Sequence, residues 1–134
     1  MRGKRSTVLS WLGCTVLGLV GTIGLGCSQG IKNAPVDAGK GREILRTALD
    51  SWKKGEKVDA LQSASPPIYV IDPEWQGGAK LQDYRITGDG EAMDAQLFCP
   101  VKLTLRDAGG QEVKRDVTYI IGTAPNRTVA RKIF

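Results

Sequence analysis

Asp94-Ala95-Gln96-Leu97-Phe98-Cys99-Pro100-Val101-Lys102-Leu103-Thr104-Leu105-Arg106 alternates apolar and polar side chains along its whole length. Ala95, Leu97, Cys99, Val101, Leu103 and Leu105 share one face, and Gln96, Phe98, Pro100, Lys102, Thr104 and Arg106 share the other. A period of two is that of an extended strand with one face on a core. Two residues break the pattern. Phe98 is a large apolar side chain on the polar face, which makes it a candidate interface residue. Pro100 lacks a backbone N–H, so it predicts a bulge or an edge position.

The same period continues on both sides. Asp107-Ala108-Gly109-Gly110 has the composition of a hairpin turn. Val113–Thr123 returns with Val113, Val117, Tyr119 and Ile121 on one face, and Thr128–Phe134 supplies a last strand. Upstream, Leu81–Thr87 alternates, Gly88-Asp89-Gly90 signals a turn, and Ile68–Ile71 is a brief apolar strand. Glu74–Ala79 reads as a turn or a single helical turn, and Ser63–Pro67 is a break because consecutive prolines cannot continue a helix.

Before that break the period changes. In Val36–Trp52, Ile44, Leu45, Ala48, Leu49 and Trp52 recur at spacings of one, three and four, with charged residues opposite. Asp37 is placed to cap this helix, and Lys53-Lys54-Gly55 suits its end. A short turn follows at Val58–Gln62. These segments predict an α+β domain over residues 39–134, with the N-terminal helix packed on a curved antiparallel sheet of three to four strands.

The segments Ser51–Glu56, Ser65–Ile68, Asp72–Trp75 and Val101–Asp107 resemble a group of small bacterial membrane proteins and lipoproteins with a cystatin-like or nuclear transport factor two-like domain. The resemblance runs from Gly39 to Arg131. It implies a helix held in a curved sheet and an extracytoplasmic location, and it brings no activity with it.

Residues 1–27 read as a targeting segment. Arg2, Lys4 and Arg5 precede an apolar stretch, Val8–Gly26, with no charged residue. Leu25-Gly26-Cys27 resembles a lipobox with its small and aliphatic residues transposed, so Cys27 is a candidate lipidation site. An uncleaved signal anchor and ordinary cleavage remain alternatives. Residues 28–38 are polar and form a flexible tether. The expected location is the cell envelope, with the N-terminus in the membrane and the domain on the periplasmic or outer side.

Composition narrows the chemistry. Processing at Cys27 removes three cations and leaves 16 basic residues against 14 acidic ones, so the net charge falls from +5 to +2 and the case for nucleic-acid binding falls with it. The chain has no histidine, which excludes histidine-dependent nucleophiles, histidine general bases and histidine-ligated zinc. Asp89, Glu91 and Asp94 do not keep the spacing of a calcium loop. No metal or cofactor is expected.

Two function classes remain. The first is a non-catalytic binding or scaffold module, engaging a protein partner or a second copy through the sheet at Phe98, or an apolar ligand in a pocket between helix and sheet lined by Trp52, Trp75, Tyr84 and Tyr119. The second is a small isomerase-like enzyme pairing a tyrosine with a carboxylate, the nearest parts being Tyr84 or Tyr119 with Asp83 or Asp116. In a strand, Asp83 points away from Tyr84 and Asp116 lies on the face opposite Tyr119, so such a pair must be assembled between elements.

Overall fold

One long helix and six strands organise residues 35–134, which are the residues described in the computed structural model. The targeting segment 1–27, with Cys14 and Cys27, and residues 28–34 of the tether lie outside them. Among the described residues no helix is long and apolar enough to cross a membrane.

Helix α1 spans Ala38–Lys53, and the Asp37 side chain accepts a hydrogen bond from the Lys40 amide at 3.0 Å. That cap satisfies one of the orphan N–H groups of the first turn. Ile44, Leu45, Ala48, Leu49 and Trp52 form its buried stripe. Gly41 lies on the same stripe, where a Cβ would stand 2.7 Å from Leu97 Cδ2. Only glycine lets the helix lie this close to the sheet. The short helix α2 covers Val58–Gln62, and α3 covers Pro73–Gln76.

The strands are β1 Ile68–Ile71, β2 Lys80–Ile86, β3 Glu91–Met93, β4 Gln96–Arg106, β5 Glu112–Gly122 and β6 Arg127–Arg131. They form one curled sheet in the order β1-β6-β5-β4-β2, with β3 also paired to β4. α1 packs on the inner face and contacts β1, β2, β4, β5 and β6. The α+β class and the helix on a curved sheet therefore hold.

The sheet is larger than three to four strands and is mixed, because β1 runs parallel to β6. Parallel neighbours need a long crossover, and here that crossover is the rest of the domain. The strand Asp94–Arg106 is also divided. Asp94 and Ala95 form the two-residue turn of a β3–β4 hairpin, with Met93 opposite Gln96 and Asp94 at φ 53°. A tight hairpin needs positive φ in its loop, and aspartate tolerates it. The last strand ends at Arg131, so Ile133 and Phe134 are exposed beyond it.

Pro100 lies neither at an edge nor in a bulge. β4 is an interior strand, paired to β5 throughout and to β2 and β3 on its other side. The Pro100 carbonyl accepts from the Thr87 amide at 2.9 Å, on the side where β2 has ended and β3 has not begun. Within a strand a residue's N–H and C=O point to the same side, so the missing donor falls in that gap. The bulge of this sheet is in β2, between Leu81 and Asp83.

Candidate functional site

Three regions combine side chains of chemical interest. The first joins the end of α1 to α3. Trp52 and Trp75 stack with ring centroids 5.2 Å apart and planes 6° from parallel. The Trp52 indole donates to the Ala79 carbonyl at 2.8 Å, and the Trp75 indole donates to the Glu56 carbonyl at 2.9 Å. Ser51 donates to the Glu56 carboxylate beside them. Both indoles are buried, and both polar tips are occupied by backbone. They floor a groove of about 420 Å³ whose rim carries Glu56, Lys57, Asp59 and Lys80. The pair therefore staples two loops to the core and offers little ring surface to a ligand.

Tyr84 and Tyr119 do not join the tryptophans in that groove. The Tyr119 hydroxyl donates to Asp72 Oδ2 at 2.5 Å, and Arg131 Nη2 lies 3.0 Å from the same oxygen. Asp72 Oδ1 caps α3, accepting from the Glu74 and Trp75 amides at 3.0 and 3.2 Å. Arg131 Nη1 reaches Glu74 Oε2 at 2.9 Å, and Arg115 donates through Nε to Glu74 Oε1 at 3.0 Å. The Arg131 guanidinium also stands 5.9 Å from the Tyr119 ring centroid. β5 and β6 supply Tyr119 and Arg131 as register partners, and the turn after β1 supplies Asp72.

Asp72 and Tyr119 are 0% and 1% exposed, so no substrate reaches either group. Burial and then the Asp72 charge push the Tyr119 hydroxyl above the ordinary phenol range. Burial pushes the Glu74 carboxyl up, but hydrogen bonds and charge from Arg131 and Arg115 outweigh it and hold the group below its ordinary value. Burial opposes the Arg131 charge, while Tyr119, Glu74 and Asp72 favour it, and the net effect keeps the guanidinium charged. A carboxylate with this many fixed donors is a structural anchor.

Tyr84 forms the second tyrosine–carboxylate pair, donating to Asp50 Oδ1 of α1 at 2.6 Å at the protein surface. Neither tyrosine uses Asp83 or Asp116. Asp83 instead faces Lys53 at 3.5 Å, and Asp116 stands opposite Lys102 on the outer side of the sheet. Asp72, Glu74 and Arg131 were not expected at a site. The one local signal for them was Asp72-Pro73-Glu74, the pattern of a helix start.

The third region is the outer face of the sheet, the one that α1 leaves uncovered. Register places Phe98, Ile120, Ala130 and Ile71 in one row across β4, β5, β6 and β1. Met93, Pro100 and Tyr69 flank that row. Ile71, Met93 and Tyr69 are 58%, 47% and 43% exposed. The other half of the same face is polar, with Lys102 opposite Asp116 and Arg106 opposite Glu112 in register. A shallow hollow of about 400 Å³ lies over Phe98, Met93, Pro100 and Thr118, with Glu91 and Lys132 on its rim.

Cys99 faces the inner core as a free, fully buried thiol that burial pushes above its ordinary pKa, so it has no nucleophilic character. Among the described residues no group of three or more histidine, cysteine, aspartate or glutamate side chains is placed to hold a metal ion. No protein-family model, curated protein or solved structure matched the chain.

Proposed function

We propose that the chain is a membrane-tethered binding or scaffold module on the extracytoplasmic side of a bacterial membrane, without catalytic activity. The observation that carries this is the divided outer face. Its polar half carries Lys102, Thr104, Arg106, Glu112, Lys114 and Asp116, whereas its apolar half leaves Ile71, Met93 and Tyr69 in solvent beside Phe98 and Ile120. An apolar patch rimmed by polar residues on an otherwise finished sheet is the signature of a protein-binding surface. In this account residues 1–27 deliver and hold the protein, Cys27 carries lipid, and the domain is of the cystatin-like or nuclear transport factor two-like kind. Enzyme chemistry of the tyrosine–carboxylate type is disfavoured because the buried pair is closed to substrate and, of the surface pair, only Asp50 borders a hollow, an open one that Tyr84 does not line.

Oxidative footprinting of the full chain in native membranes tests the binding surface. Met93 and Tyr69 are expected to be protected there and to label readily in the detergent-diluted monomer. Equal labelling in both states would remove the proposal. Intact mass with a Cys27→Ala control tests the tether: lipid mass on a species beginning at Cys27, lost in the control, is the expected result.

A further inference from the structure

We propose that the part of this apolar face carried by β3 to β6, around Phe98, Met93 and Ile120, is the interface of a two-fold symmetric dimer, with a second copy of this chain packed on it face to face. The proposal rests on the binding function above and names its partner.

The arrangement of the face is self-complementary. Glu91 stands on β3 at one edge of the hollow, and Lys132 stands just beyond β6 at the other. The strand order between them is β3-β4-β5-β6, so the two opposite charges are about 14 Å apart at ordinary strand spacing. A two-fold axis running along the strands, midway between β4 and β5, lays β4 of each copy on β5 of the other. Phe98 and Ile120 are register partners. The axis therefore sets Phe98 over Ile120 of the second copy, and the reverse.

The same operation carries Glu91 over Ala130 of the second copy. Lys132 is the next outward position along that strand, about 7 Å away and within the reach of a lysine side chain. Two Glu91–Lys132 pairs then close opposite edges of one apolar seam. An isologous interface requires this reciprocity, in which each residue and its contact exchange places.

The charge balance selects this occupant. An anionic lipid surface favours a rim of cations, and a strongly charged protein favours a rim of one sign. This rim carries one charge of each sign, on opposite edges. The charged residues Lys102, Asp116, Arg106 and Glu112 bound the seam along the strands.

The test uses the full chain in detergent, as an equal mixture of light and nitrogen-15-labelled copies treated with a zero-length carbodiimide cross-linker. A Glu91–Lys132 cross-link joining one light and one heavy chain is expected. Ile120→Lys, on the outer face, should weaken association about tenfold or more without altering the far-ultraviolet circular dichroism. Glu91→Lys alone and Lys132→Glu alone should each dissociate the dimer, and mixing the two variants should restore it, because both edge pairs are then of opposite sign. Cross-links confined to single chains, or association unchanged by Ile120→Lys, would overturn the proposal. If Met93 and Tyr69 are still shielded in native membranes in that event, the binding function stands and only the second copy is excluded. If they label freely there, both fall.

Discussion

Tyr84–Asp50 and Tyr119–Asp72 are the same chemical pair in two settings. Each is a phenol donating to a carboxylate from another element, at 2.6 and 2.5 Å. The first lies at the surface, where water can replace either partner. The second is sealed in the core, where Asp72 also caps a helix and faces Arg131. Near-identical distances therefore conceal different energetic roles. A hydrogen bond is worth little when solvent can take its place, and its loss is expensive when a buried partner is stranded.

The sharpest way to break the comparison is to remove each carboxylate. Asp72→Ala leaves Arg131 without its fully buried counter-charge and uncaps α3, so a loss of about 3–5 kcal/mol is expected in denaturant unfolding followed by tryptophan emission. Asp50→Ala should change stability by less than about 1 kcal/mol in the same assay. Equal effects would mean that burial does not separate the two pairs.

Removing the hydroxyls is gentler. Tyr119→Phe leaves Asp72 Oδ2 with Arg131 alone and should lower stability by about 1–3 kcal/mol, while Tyr84→Phe should lower it by about 0.5 kcal/mol. Alkaline titration sharpens the same contrast. Burial first and Asp50 second push the Tyr84 hydroxyl up to about 12, so its ionisation should be visible near that pH by phenolate absorbance. Both folded tyrosines lie above the ordinary value of 10.0, so their contribution is complete below pH 10.0 and declines as the pH rises beyond it. Tyr119 should ionise only as the protein unfolds, and Tyr119→Phe should flatten the alkaline loss more than Tyr84→Phe does.

The acid limb should show the smallest effect. Glu74 is held below its ordinary 4.5 in the folded protein. Its contribution is therefore complete above pH 4.5 and is lost as the pH falls through the lower folded value. Arg115→Gln removes one of its two cationic partners and should make that acid loss shallower.

The residues explain which features were legible. The faces of β4 and β5 follow from parity alone, so Leu97, Cys99, Val101, Leu103, Leu105, Tyr119 and Ile121 were all assignable to the core, and Phe98 stood out as the exception. The α1 stripe and the Asp37 cap are equally local. The turn at Asp94-Ala95 was hidden because a two-residue hairpin loop is shorter than the window in which alternation is recognised. The β1–β6 pairing and the Asp72–Tyr119–Arg131 cluster depend on groups from distant parts of the chain, which no spacing rule connects. Both tyrosines do have carboxylate partners between elements, but those partners are Asp50 and Asp72 rather than their sequence neighbours. Trp52 and Trp75 are large groups near chain breaks and stack together, whereas Tyr84 and Tyr119 lie within β2 and β5 and find separate partners.

The parallel pairing of β1 with β6 also governs the order in which the domain can assemble. β4 and β5 can close early, since a short turn joins them and loop-closure entropy is low. β1 must wait through nearly the whole domain for its neighbour, a separation that raises contact order and slows folding. Until β6 docks, the Asp72 carboxylate lacks Arg131 and the core remains open along one side. A nascent chain that has not yet released β6 is thus unable to complete the sheet, whatever the state of its earlier strands.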